Sequence, residues 1–346
     1  MPQRTRLYLT SIGIVLIAAQ AAAAWPRRHH RRCVCPISRQ APAATLTTTA
    51  SEEVEQVLNK LRLVLPNKTD DEIIQVLRGY VLHEDSADKD GLRWLAERLQ
   101  LAKRQREAVA AIRATGGGDV FYDWQHVDDG QPIEPPPGPL WARNALGDDF
   151  FASAVYVYLH SPRISDAAME HVRALPQLKE LWLFNSEITD AGLRHLKDLK
   201  KLEKLGHNSA KVTDAGLSHL KSLSQLKVLA LNNTQITDAG LEHLKDLKQL
   251  HELFLIDTQI TDAGLKRLRG LTQLWDLRLG GTKVTDAGLQ YLKGLSELYW
   301  LWLDNTKVTD AGVRKLQQAL PKCMIEWTPP TKDERQSPAK PDQPGG

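Results

Sequence analysis

The hexapeptide ITDAGL at residues 188–193 returns in close variants at Val212, Ile236, Ile260, Val284 and Val308, and a degenerate copy, ISDAAM, starts at Ile164. Each copy lies 24 residues from the last. A fixed period of this length means a solenoid, whose units bury their apolar faces only against neighbouring units. No such unit encloses a pocket. Function therefore belongs on a surface, and the default reading is a binding module rather than an enzyme.

Within a period the apolar spacing changes from alternation at Leu181 and Leu183 to three-residue steps at Leu193, Leu196 and Leu199. That switch predicts a short strand followed by a helix. Leu178, Leu181, Leu183, Ile188, Leu193, Leu196 and Leu199 should all point inward, as should their equivalents from Leu226 to Leu247. On these residues the chain resembles the leucine-rich-repeat family, over about half its length, Ala154 to Pro321, in seven in-phase copies. The resemblance is nearest to the subclass with a true helix on the convex side, the ribonuclease-inhibitor-like and F-box-associated type, here in a bacterial-type exported protein. It implies an α/β fold, a right-handed β/α leucine-rich-repeat solenoid (horseshoe) with an N-terminal helical region and a capping helix-strand unit. One departure stands out. Where many members carry Asn or Cys after the strand, this chain has Ser186, Ala210, Thr234, Thr258, Thr282 and Thr306, whose hydroxyls are expected to bond a neighbouring turn. No F-box-like segment extends the resemblance.

Composition sets outer bounds. With 346 residues, 42% of them hydrophobic, the chain can bury a large core, and a formal charge of +3 gives no reason to expect nucleic acid. Three cysteines make no disulfide framework. Cys33 and Cys35 with His29 and His30 could hold a metal, but zinc sites usually draw on a second ligand pair, so none is expected.

The first segment reads as an export signal at residues 1–24: Arg4 and Arg6 precede an apolar stretch from Leu7 to Ala19, and Ala22 to Ala24 supply a small-residue cleavage site. An uncleaved membrane anchor is the competing reading, with Arg27, Arg28, Arg31 and Arg32 just beyond it. Residues 25–50 read as a disordered basic, Thr-rich linker, 51–102 as a helical region starting at a Ser51 cap, and 103–153 as the solenoid's N-terminal cap. Gly116 to Gly118 lack a following Lys-Ser or Lys-Thr, so they read as a helix-to-strand turn rather than a phosphate loop. The repeats occupy 154–327, closing on a strand from Cys323 to Trp327, and 328–346 reads as a disordered tail.

Strand residues flanking the inward leucines should face the concave side. One column reads Tyr158, Trp182, Gly206, Ala230, Phe254, Arg278 and Trp302; beside it run Tyr156, Glu180, Lys204, Val228, Glu252, Asp276 and Trp300; on the other side lie His160, Phe184, Asn208, Asn232, Ile256, Gly280 and Asp304. Large apolar groups here are not needed by the fold, and Trp, Tyr and Arg dominate interface energies. Tyr156, Tyr158, Trp182, Phe184, Phe254, Ile256, Arg278, Trp300 and Trp302 are thus the candidate contacts for a protein or peptide partner. The alternative is that the rings only shield one another.

Two ladders invite a metal reading. Asp166, Asp190, Asp214, Asp238, Asp262, Asp286 and Asp310 fall at helix starts, where a carboxylate caps amides. His171, His195, His219 and His243 lie on successive helices, too far apart for ligand bonds of ~2 Å to span. His207 breaks the core pattern: it is either a buried neutral imidazole or, with Gly206, the floor of a notch between Trp182 and Phe254. No catalytic motif is found, and Asp128 and Asp129 have no partner His at diagnostic spacing. The reading is a non-catalytic scaffold without cofactor, exported, and in contact with a membrane only if its first segment is retained. An exported enzyme or glycan-binding protein, with activity in the helical region, is the alternative.

Overall fold

The computed structural model describes residues 48–81, 91–123, 140–184 and 186–328. The proposed signal and linker up to residue 47, the four Cys and His residues near position 30, the Asp128–Asp129 pair and the tail from 329 lie outside them. The described residues form two compact units: those up to Gln100 together with 140 to Ala152, and Leu101–Asp123 together with Ser153 onward.

The first unit is helical. Its first helix, Thr48–Val64, begins three residues ahead of the expected Ser51 cap. The next, Asp70–Val81, opens on a reciprocal cap, in which Thr69 N donates to Glu72 Oε2 (2.8 Å) and Glu72 N donates to Thr69 Oγ1 (3.3 Å). Leu58, Leu61, Ile73, Leu77, Leu95 and Phe150 are fully buried in this unit.

The second unit is built on nine strands in chain order: β1 (Gly118–Tyr122), β2 (Ala154–Leu159), β3 (Glu180–Leu183), β4 (Lys204–His207), β5 (Val228–Leu231), β6 (Glu252–Phe254), β7 (Asp276–Arg278), β8 (Trp300–Trp302) and β9 (Met324–Glu326). β1 runs antiparallel to β2, and every later pair is parallel. The 24-residue period sets the register, so Leu181, Leu205, Leu229, Leu253, Leu277 and Leu301 stand side by side, each fully buried. Complete burial of one leucine contributes about 2 kcal/mol. Ala108, Val109 and Ile112 on helix Gly91–Ala114, with Val120 on β1, join the same core.

Behind the sheet the helices vary in length from repeat to repeat. Asp190–Leu193, Asp214–Leu217 and Asp286–Leu289 are single turns of four residues, and Gly240–Leu244 is a 3₁₀ helix. In other repeats the α-helix is longer, over Asp166–Val172, Asp262–Leu268 and Asp310–Ala319.

The ITDAGL motif is a clamp between repeats. Its Thr is the N-cap, as Thr189 Oγ1 accepting from Ala191 N shows. The expectation that each Asp caps its own helix is corrected, because the carboxylate reaches forward into the next repeat. Asp238 Oδ1 accepts from Thr261 N (2.8 Å) and Oδ2 from Thr261 Oγ1 (2.6 Å), and the pattern repeats from Asp166–Thr189 to Asp286–Thr309. The motif's Gly is where that carboxylate rests: a Cβ on Gly264 would stand 2.4 Å from Asp238 Oδ1. In the first repeat this position is Ala168, and residue 142, where a preceding Asp would fall, is itself alanine. The degenerate copy thus follows from having no earlier clamp to receive.

The hydroxyl ladder also differs from expectation. Thr234, Thr258, Thr282 and Thr306 donate to the carbonyl three residues back in their own turn, at 2.6–2.8 Å. These turns pass through a left-handed residue, Asn233, Asp257, Gly281 or Asn305. Repeat three has Ser209 and Ala210 at the matching places, and His207 takes over: its Nδ1 accepts from Ser209 N at 2.9 Å. The proton is thereby placed on Nε2, buried toward the Ile188 carbonyl. Ser186 Oγ in the preceding repeat is buried without a hydrogen-bond partner among the described residues.

Candidate functional site

The sheet face turned away from the leucines carries the three columns. Tyr156, Glu180, Lys204, Val228, Glu252, Asp276, Trp300 and Met324 are in register, and so are Tyr158, Trp182, Gly206, Ala230, Phe254, Arg278, Trp302 and Glu326. Short strands joined in parallel at a common register put these side chains ~4.8 Å apart from strand to strand.

The rings gather into two groups. In the first, Trp182 stacks on Phe184 (centroids 5.7 Å apart, planes at 20°) and its Nε1 donates to Glu180 Oε2 at 3.4 Å. A Cβ on Gly206 would come within 2.2 Å of this indole. The notch expected between Trp182 and Phe254 is therefore absent. Glycine is needed at 206 so that the ring can lie across the strand, and the gap is filled from within.

In the second group Arg278 is sandwiched. Its Cζ lies 4.3 Å from the Phe254 ring centroid and 5.1 Å from that of Trp302, while Nη2 donates to Asp276 Oδ2 at 2.8 Å. Stacking on both rings plus a buried carboxylate leaves the guanidinium little freedom. Phe254 and Tyr156 are buried, whereas Tyr158, Trp182, Phe184, Ile256, Arg278, Trp300 and Trp302 are half-buried. The rings shield one another and still present surface. Trp302 Nε1 is buried without a hydrogen-bond partner among the described residues.

The charges on this face are unevenly matched. Lys204 Nζ pairs with Glu180 (2.8 Å) and Arg278 with Asp276, but Glu252 has no hydrogen bond or ion pair among the described residues. Burial, and then the neighbouring Asp276, push the Glu252 carboxyl up to about 7, against the pull of Arg278 and Lys204. Burial, then Glu180, raises the Tyr158 phenol to about 12, so it stays neutral and able to donate. Sequence reasoning placed Glu252 on this face without assigning it a role. It also missed Phe121, 40% exposed on β1, whose ring meets Tyr158 edge-on at 5.8 Å. The signal was available in the alternation of Val120 and Phe121.

Behind the sheet, His195 and His219 line a shallow depression with Arg173, Arg194 and Lys197. Three cations there oppose a metal ion on those imidazoles. Among the described residues no group of three or more His, Cys, Asp or Glu could hold one. Cys323 is a buried free thiol raised to about 11 by burial.

A family model described as Leucine Rich repeat matches residues 222–245, one full period. The same 24-residue pattern and strand register recur through the second unit, which supports a leucine-rich-repeat reading of these repeats. Similar solved structures include two internalins of Listeria monocytogenes. InlF is 26% identical over 45% of this chain and 49% of its own, with a TM-score of 0.39. InlC2 is 23% identical over 52% of this chain and 82% of its own, also at 0.39. A leucine-rich-repeat protein of Leptospira interrogans is 20% identical over 45% of this chain and 50% of its own, at 0.32. The chain thus spans about half the length of the first and third of these. No curated protein matches it.

Proposed function

We propose that this protein is a non-catalytic binding scaffold, which recognises a protein or peptide partner on the concave strand face of its repeats. The observation that carries the reading is the pair of aromatic groups there, Trp182 with Phe184 and Phe254–Arg278–Trp302. No inward-facing residue needs them, because the leucine core is complete without them. Preorganised rings with a fixed arginine give contact area at little entropic cost.

The test compares proteins captured from the exported fraction of the native host by the full chain and by Trp182→Ser and Trp302→Ser variants. Each variant should weaken capture by about 2 kcal/mol or more while its circular dichroism stays unchanged. Equal capture by all three would exclude the concave face as the binding surface.

The scaffold is proposed to act outside the cytoplasm, on the strength of the apolar segment Leu7 to Ala19 and the alanines after it. Intact mass of the native protein should place its first residue near Trp25. A chain that retains Met1 in the membrane fraction would show an anchor instead.

A further inference from the structure

Resting on the concave-face reading, we propose that the partner is a peptide segment held by a lysine or arginine side chain, whose cation pairs with Glu252. The charge pattern points to a cation. Glu180, Lys204, Glu252, Asp276 and Arg278 stand on neighbouring strands of one face, three acids against two bases. The two bases are each committed, Lys204 to Glu180 and Arg278 to Asp276, which leaves Glu252 as the one of these carboxyls without an ion pair among the described residues. It is not on the rim. Glu252 sits on β6, inside the strand array, flanked in register by Val228 and Asp276, with Phe254 two residues on.

A half-buried carboxylate without a partner is unfavourable, and a cation supplied by another chain would relieve it. The surroundings suit the rest of such a side chain. Val228 offers an apolar surface for a lysine or arginine stem. An acidic peptide would meet the opposite situation, placing its charge beside Glu252 and Asp276.

Arg278 does not compete for this place. Its guanidinium is held by Asp276 and by the rings of Phe254 and Trp302, so it fixes the floor of the site and leaves Glu252 open. The groups facing Glu252 are Asp276 and Arg278 from β7 and Lys204 from β4, and β5 contributes the neutral Val228. Burial and Asp276 hold Glu252 protonated toward neutral pH, so an arriving cation must expel that proton. Affinity should therefore rise with pH through the neutral range.

The experiment uses the full chain and arrays of nine-residue peptides, random except for a central Lys, Arg, Glu or Ala. The cationic sets should be retained at least about tenfold better than the Ala set, with the Glu set weakest. Glu252→Gln, which keeps the shape and removes the charge, should erase the preference and the rise between pH 5.5 and 8 together. Trp302→Ser should weaken all retained peptides. If retained peptides depend on Trp302 but show no cationic preference, or keep it in Glu252→Gln, the cation site is wrong and the concave scaffold stands. If nothing is retained, or retention ignores both substitutions, the two proposals fall together.

Discussion

Gly264→Ala should destabilise the repeat unit by about 2 kcal/mol, although alanine in place of a helical glycine ordinarily adds about 1 kcal/mol of stability. The reversal comes from the clamp. Gly264 lies in the helix Asp262–Leu268, and a Cβ there would meet Asp238 Oδ1 at 2.4 Å, the oxygen that accepts from Thr261 N. The carboxylate cannot retreat without losing that bond and the one from Thr261 Oγ1. Asp238→Ala alone should also be destabilising, by roughly 2–3 kcal/mol for two hydrogen bonds to a charged group. In the double variant the alanine at 264 has room, so its penalty should vanish and the pair should show a coupling of 1 kcal/mol or more, on the order expected for touching residues. Denaturant unfolding of the four proteins measures this. Additive effects would mean that glycine is there for some reason other than the aspartate. Asp310 supplies a control: among the described residues its carboxylate pairs with Arg314 on the surface and not with a later Thr, so Asp310→Ala should change little.

This clamp shows where the sequence was legible. The period, the inward leucines and the strand register all follow from apolar spacing, because a parallel array of identical units has one way to bury them. The length of each helix behind the sheet was not legible, since the same three-residue leucine steps lie in a 3₁₀ turn at Gly240–Leu244 and in an α-helix at Asp262–Leu268. The aspartate was placed correctly at the helix start and given the wrong partner. Capping rules describe contacts within one helix, whereas this carboxylate acts across 23 residues of sequence to the next repeat. A signal was present: glycine follows aspartate by two in every copy after the first, and the first has alanine.

The in-register strand columns were legible for the same reason as the core, through strand alternation. What they do to one another was not. That Trp182 lies across Gly206 depends on a rotamer, and that Arg278 enters between Phe254 and Trp302 depends on Asp276 being buried beside it. Neither is a matter of spacing. His207 was legible as a break in the core, but its use in holding the turn at Ser209 needed the backbone around it.

Replacing His207 and replacing Glu252 should change the pH dependence of stability in opposite directions. Burial, opposed by the Ile188 carbonyl and by Asp166 and Asp190, holds the His207 imidazole down to about 4, against 6.5 for an ordinary histidine. As pH falls from 6.5 to 4 the unfolded chain takes up a proton that the folded chain refuses. His207 therefore removes stability on acidification, by up to about 1.4 kcal/mol per pH unit and roughly 3 kcal/mol in all. Glu252 has the reverse sign: raised to about 7 from 4.5, it keeps a proton in the folded state that the unfolded chain has released, so its contribution is lost as pH rises between those values. Asp276, also raised by burial, adds in the same sense. Over pH 4.5–6.5 the two contributions oppose each other. Denaturant midpoints measured across pH 4.5–7.5, with the wild-type curve subtracted, isolate each one. His207→Leu should gain stability relative to wild type as the pH is lowered, and Glu252→Gln should gain it as the pH is raised. At pH 7 the leucine loses the acceptor for Ser209 N while removing a buried polar Nε2 from the core, so its offset there should be small. If both difference curves slope the same way, one of these two groups is not buried as described, and the variant with the unexpected sign identifies it.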